Sequence, residues 1–264
     1  MKHVEVNGLH IGYDRVGSGP PLVLLHGFVG DSREWRRQIE GLSNEFTVVA
    51  WDAPGAGQSS DPPASFRMPD YADCLAAFID ALALGRPHVA GLSFGGALAL
   101  ELYRRHPTVP RTLVLAGAYA GWTGSLPPEA AAERLRKSLM LADHPPDTFA
   151  AAMIPTLFPE STPTAVVQNF AAIVSEFHPE GFRAMARSLA EADLRDVLPR
   201  IRVPTLLVYG DQDARASLNV AEDLHRAIPE SRLVVLPGVG HMSNVEAGDR
   251  LNAEVREFLR SIQP

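Results

Sequence analysis

The sequence predicts an α/β fold, a mostly parallel sheet covered by helices on both faces. Three observations predict it. Short apolar runs alternate with longer helical patterns as far as residue 116, and the alternation resumes at residue 205. Runs such as Pro87-His88-Val89-Ala90 are apolar enough to read as buried strands. The chain has 264 residues, enough for one such domain with a well-filled core.

The elements follow in order. Residues 3–16 alternate in character around Asn7-Gly8, a hairpin signal. Gly17-Ser18-Gly19-Pro20-Pro21 is a loop into a third strand, Leu22-Val23-Leu24-Leu25. A helix is expected over 32–42, a strand over 46–52 and an amphipathic helix over 69–84. The run before Gly91 reads as a strand, 96–103 as a buried helix, and Thr112–Ala116 as the next strand. Residues 121–203 break the pattern. They have no strand-like run, proline-marked joints at Pro127-Pro128, Pro145-Pro146, Pro155, Pro159, Pro163 and Pro179, and helical patterns over 129–141 and 164–177. Strands return at 205–209 and 232–236, and a helix over 247–262 ends the pattern.

Composition excludes several function classes. Lys and Arg number 24 against 31 Asp and Glu, a formal charge of −7, with no basic stripe for nucleic acid. The single cysteine, Cys74, permits no intrachain disulfide and sits in an amphipathic pattern as a packing residue. The N-terminus lacks the apolar region of a signal peptide, and no stretch of about 18 apolar residues could span a membrane. A cytoplasmic location is the expectation. No metal or cofactor is expected: there is no Cys pair, no His-Glu-x-x-His and no dinucleotide glycine fingerprint after a first strand.

The chemistry is concentrated in Gly91-Leu92-Ser93-Phe94-Gly95. A serine at a sharp strand-to-helix turn, with glycine two residues before and after, projects its hydroxyl alone into a cleft. Side chains at 91 and 95 would crowd the neighbouring strand and helix. The helix begins at the serine, so its free N–H groups point to where an oxyanion would form. Such a nucleophile needs a base and an orienting acid. His241 follows a strand-like run on the loop Pro237-Gly238-Val239-Gly240. Asp211 and Asp213 follow another, in Gly210-Asp211-Gln212-Asp213. The order is Ser, Asp, His.

Together these segments resemble the α/β-hydrolase superfamily over nearly the whole chain. His26-Gly27-Phe28 resembles its oxyanion loop, Asp52-Ala53-Pro54-Gly55-Ala56-Gly57-Gln58-Ser59 its D-x-x-G-x-G-x-S loop, 91–96 its elbow, and 210–213 its G-x-x-D acid loop. The resemblance implies Asp213, not Asp211, as the acid. It implies that His26 braces the oxyanion loop. Asp52 is expected to anchor its glycine loop, and Asp211 to close the turn after its strand.

The expected catalytic residues are therefore Ser93, Asp213 and His241, with the backbone N–H groups of Phe28 and Phe94 as the oxyanion hole. Both phenylalanine rings should line the pocket, with Trp35, Trp122, Met140, Met153 and Met242 as wall candidates. The resemblance implies a core of residues 1–120 and 204–264 and a helical cap of 121–203 with an apolar roof. It implies a serine hydrolase that cleaves a small, largely apolar ester or lactone through an acyl-enzyme. A carbon–carbon bond hydrolase and a ligand-sensing receptor with little turnover are the alternatives. The implied partner is a small-molecule substrate.

Overall fold

Asn7 and Gly8 both take positive φ, 51° and 79°, which matches the twist of a tight hairpin between β1 (Lys2–Val6) and β2 (Leu9–Val16). The computed structural model describes residues 1–262. After the hairpin come β3 (Pro21–Leu25), a 3-10 turn over Ser32–Trp35, α1 (Arg36–Leu42) and β4 (Thr47–Trp51). They are followed by α2 (Met68–Ala81), β5 (His88–Leu92), α3 (Phe94–Arg105) and β6 (Thr112–Ala116).

The next elements are helical: α4 (Trp122–Ser125), α5 (Pro128–Leu141), α6 (Pro146–Met153), α7 (Thr164–Val174) and α8 (Pro179–Glu191). Proline opens α5, α6 and α8, where its fixed φ suits the first turn and its missing N–H costs nothing. The chain closes with β7 (Thr205–Gly210), α9 (Leu218–Ala227), β8 (Arg232–Leu236), α10 (Ser243–Glu246) and α11 (Gly248–Ser261).

The strands form one sheet in the order β1-β2-β4-β3-β5-β6-β7-β8. The pairs of β2 with β1 and β4 are antiparallel, and the others are parallel. Every residue of β4, β5, β6 and β7 is buried. The reason is cover on both faces. Leu24, Ala90 and Val114 share one face with Trp35 and Leu42 and with Leu251 and Val255 of α11. Trp51 and Tyr13 point the other way, against Phe78 of α2.

The register decides where chemistry can occur. Leu25 pairs with Gly91, Leu92 with Ala116 and Ala116 with Val208. The carboxyl ends of β3, β5, β6 and β7 therefore lie side by side, and the loops leaving them share one edge. Among the described residues no helix is long and apolar enough to cross a membrane.

Candidate active site

Ser93 stands between β5 and α3 with φ 53° and ψ −108°, a backbone that costs a residue with a Cβ about 1–3 kcal/mol. The glycines explain how the turn fits. A Cβ on Gly91 would lie 2.2 Å from the Gly95 carbonyl, and one on Gly95 would lie 2.1 Å from the Leu25 oxygen. Strand, turn and helix thus touch backbone to backbone, and only glycine allows it. The Ser93 N–H donates to the Ala116 oxygen at 2.9 Å, which ties the elbow to β6.

His241 and Asp213 meet beside that junction. His241 Nδ1 donates to Asp213 Oδ2 at 2.8 Å, and both residues are buried. Asp213 Oδ1 accepts the Arg215 and Ala216 N–H groups at 2.8 and 2.9 Å. Burial alone would raise the Asp213 carboxyl. His241 and these two N–H groups outweigh it and hold the acid below its ordinary range. The His241 ring lies against Gly117, where a Cβ would come within 3.1 Å of Nδ1. Among the described residues no hydrogen bond joins the Ser93 hydroxyl to His241. Contacts of this kind are often long in an unliganded site and tighten with substrate. Asp211 is exposed and does more than close its own turn: its Oδ1 accepts the Gly238 N–H at 2.6 Å and so joins the acid loop to the base loop.

The loop after β3 reaches the elbow at Gly27, where a Cβ would sit 4.0 Å from the Ser93 Cβ. His26 holds this loop. Its Nδ1 bonds the Gly27 oxygen at 2.6 Å and its Nε2 accepts the Ala53 N–H at 2.9 Å. Burial lowers its pKa and keeps it neutral for both roles. Asp52 anchors the loop beyond β4 by accepting the Ser32 and Gln58 N–H groups, each at 2.8 Å.

Two glutamates, Glu34 buried and Glu246 half-buried, also support the loops. Glu34 Oε1 accepts the Gly27 N–H and the Asn244 side chain, each at 3.2 Å. Burial pushes its carboxyl up to about 8, and nearby Asp31 pushes the same way. Glu246 accepts the N–H groups on either side of His241, from Gly240 at 3.0 Å and Met242 at 3.1 Å, and also the Thr162 hydroxyl at 3.2 Å.

The wall candidates separate. Trp122 meets the Phe28 ring edge-on at 6.0 Å, and Met153 lies 3.9 Å from an Arg215 nitrogen. Met242 is buried beside His241. Trp35 does not line this site. The 3-10 turn carries it to the α1–α11 face of the sheet, where it packs among Leu24, Leu42 and Leu251. Met140 is 55% exposed on the outer face of α5. The Phe94 ring turns into the core against Tyr71, 5.2 Å between centroids, and leaves only its backbone near the serine. The Phe28 ring stacks on Phe182 at 5.0 Å, and Phe182 continues into Phe149 and Phe177. An aromatic block thus roofs the loop.

The same architecture recurs in known proteins. Residues 22–254 match the alpha/beta hydrolase family. An esterase from Thermogutta terrifontis, solved with malate bound, superposes with a TM-score of 0.91 at 32% identity over 98% of each chain. The enol-lactonase from Burkholderia xenovorans LB400 gives 0.90 at 26% identity over 98% of this chain and 100% of that one. The RutD protein of Pseudomonas savastanoi pv. phaseolicola, a proposed carbamate hydrolase, is 30% identical over 86% of this chain and 88% of its own. With a family match over most of its length and this arrangement of loops on a mostly parallel sheet, the chain belongs to the alpha/beta hydrolase family and is a hydrolase.

Proposed function

We propose that this protein is a serine hydrolase that cleaves a small, largely apolar carboxylic ester or lactone through an acyl-enzyme on Ser93. The observation that carries the reading is the strained Ser93 backbone at the β5–α3 junction, held beside the hydrogen-bonded His241–Asp213 pair. Strain is retained in a fold where the surroundings over-determine it and where function uses it. The Thermogutta esterase and the Burkholderia enol-lactonase support the choice of ester and lactone.

In this reading Ser93 Oγ attacks the substrate carbonyl carbon. An ionised Asp213 can only accept, so the His241 proton resides on Nδ1 and Nε2 is free to take the serine proton. The carbonyl oxygen becomes an oxyanion between the Phe28 and Phe94 N–H groups. Each such donor is typically worth about 3 kcal/mol in the transition state. Protonated His241 then gives its proton to the departing oxygen. Water, deprotonated by His241, attacks the acyl-enzyme, and Ser93 is restored when the carbon–Oγ bond breaks. Residues 121–203 act as the cap, which excludes bulk water and shapes the pocket around Trp122, Met153 and Met242. The reading places the enzyme in the cytoplasm.

The first test is intact-mass analysis after treatment with a fluorophosphonate, with Ser93→Ala alongside. One adduct on the wild type and none on the variant is expected, followed by turnover on a panel of esters, lactones and carbamates. A folded wild type that takes no adduct and turns over no member of the panel overturns the proposal.

A further inference from the structure

Two arginines beside the candidate site have no carboxylate. Arg134 projects from α5 and Arg215 from the loop after β7, and both are half-buried. Arg134 lies over the Tyr119 and Trp122 rings, 5.6 and 5.5 Å from their centroids. Its nitrogens donate to the Tyr119 hydroxyl at 2.9 Å and the Arg215 carbonyl at 3.4 Å. The Arg215 guanidinium lies over the Phe28 ring at 5.5 Å and donates to the Thr156 hydroxyl at 2.8 Å.

The neighbouring arginines are neutralised. Arg136 pairs with Glu133 and Arg183 with Glu180, each at 2.7 Å. Among the described residues neither Arg134 nor Arg215 lies within ion-pair distance of a carboxylate. Glu133 is adjacent to Arg134 in sequence, yet it turns outward to Arg136 and Lys137. The carboxylate that acts on Arg215 electrostatically is Asp213, whose oxygens are occupied by His241 and the Arg215 and Ala216 N–H groups. Two like charges taken partly out of water with no counter-ion oppose folding. Aromatic faces and hydroxyls offset only part of that cost. The missing partner is an anion. A guanidinium fork favours a planar carboxylate, which it can bind through two parallel hydrogen bonds.

The position indicates what carries the anion. Arg215 covers the Phe28 ring, and the Phe28 N–H is the proposed oxyanion donor. Trp122, which touches Phe28, is covered by Arg134. A charge held there would lie beside the proposed oxyanion loop. We propose that Arg134 and Arg215 form a carboxylate subsite, and that the substrates are esters or lactones bearing a second, ionised carboxylate a short carbon chain from the reacting carbonyl. This rests on the ester and lactone reading and narrows it: the reacting end stays small and apolar, and the far end carries a charge in place of a largely apolar tail. Tyr119 and Trp122 lie against the Arg134 guanidinium and Met153 against that of Arg215.

The test compares mono-p-nitrophenyl glutarate with p-nitrophenyl butyrate, a matched pair with and without the distal carboxylate, on the wild type, Arg134→Gln, Arg134→Lys and Arg215→Gln. The readout is the ratio of kcat/KM for glutarate over butyrate. It should exceed unity in the wild type and fall by about 10²-fold in either Gln variant, mainly through KM, with Arg134→Lys intermediate. Free glutarate should inhibit butyrate hydrolysis competitively, at least about tenfold less well in the Gln variants. A ratio that is the same in wild type and variants overturns the subsite while hydrolysis of butyrate leaves the ester reading standing. If neither ester turns over, the ester reading fails, and calorimetry of free glutarate with wild type and Arg134→Gln decides the subsite alone. Binding that depends on Arg134 supports it, and absent or unchanged binding overturns it. Inorganic phosphate that binds as tightly as glutarate overturns the assignment to a carboxylate.

Discussion

Replacing Asp213 by asparagine exchanges one oxygen for an NH2 and should stop turnover without unfolding the chain. Oδ1 accepts two backbone N–H groups, at 2.8 and 2.9 Å, so the amide carbonyl must remain there. The NH2 is then forced onto His241 Nδ1, which now faces Oδ2 at 2.8 Å. An NH2 only donates, so Nδ1 must give up its proton, which moves to Nε2. Nε2 is the atom that must accept the Ser93 proton, and the base is left in the wrong tautomer. The loss should be about 10⁴-fold in kcat, or about 5 kcal/mol of barrier at about 1.4 kcal/mol per decade. Asp211→Asn is the control. Its one bond, to the Gly238 N–H at 2.6 Å, can be made equally by an amide carbonyl. Its turnover should change by less than about fivefold, within the usual worth of one neutral hydrogen bond. The assay is steady-state ester hydrolysis, with a thermal melt to show that both variants are folded. An Asp213→Asn enzyme within tenfold of wild type, or an Asp211→Asn enzyme that is the inactive one, refutes the reasoning.

Other expectations concern stability. Ser93→Gly should release the strain at φ 53° and raise Tm by roughly 2–4 °C, whereas Ser93→Ala, which keeps a Cβ, should not. Equal Tm values by calorimetry would remove the case for strain. Glu34, raised from 4.5 to about 8 in the fold, binds its proton more tightly there than in the unfolded chain. Stability should therefore fall as pH rises from about 4.5 to about 8 and then level. His88, lowered from 6.5 to about 4 by burial, acts in the opposite sense below pH 6.5, so the interval from 6.5 to 8 isolates Glu34. Urea melts there should show the wild type losing about 1 kcal/mol per pH unit and Glu34→Gln staying flat. A wild-type curve that is already flat would contradict the buried, protonated carboxyl. Gly181→Ala should destabilise by about 2 kcal/mol although alanine is the better helix former, because its Cβ would lie 2.0 Å from the Gly55 oxygen. A variant more stable than wild type in urea would show that α8 can shift off the loop at no cost.

What was legible in the sequence was whatever depends on neighbours along the chain. The elbow could be read because strand, glycines, serine and helix are contiguous. His241 and the aspartates could be read because each follows a strand-like run. Trp35 could not be placed from the sequence, because nearness along the chain to His26-Gly27-Phe28 does not fix which side of the sheet it meets. The 3-10 turn that ends at Trp35 carries it onto the α1–α11 face of the sheet, away from the strand ends where the site lies. In α5 hydrophobicity pointed the wrong way. Ala131 and Ser138 are its buried positions, and the stripe between them holds Arg134, while Met140 faces solvent. The charged run Glu133, Arg134, Arg136, Lys137 looks like a solvated face. Only the fold, by bringing Arg215 from a distant loop, shows that one of its charges turns inward. Glu34 and Glu246 were hidden for a related reason: each acts on backbone N–H groups, which leave no trace in a residue pattern.

The His241 N–H donates to the Leu157 oxygen at 3.1 Å, and Glu246, which holds the N–H groups on both sides of His241, also binds Thr162. Leu157 and Thr162 belong to the segment proposed as the cap, and Ser93 is only 4% exposed. If substrate enters by displacing that segment, its entry loosens the support of the base. On the proposed mechanism an opened form would be the poorer catalyst, and closing would restore the base. A ligand that fills the site well and draws the segment down also firms the imidazole. One that fills it poorly leaves the imidazole slack. Substrate fit should consequently register in kcat as well as in KM, with selectivity exercised after binding through the stiffness of a single loop.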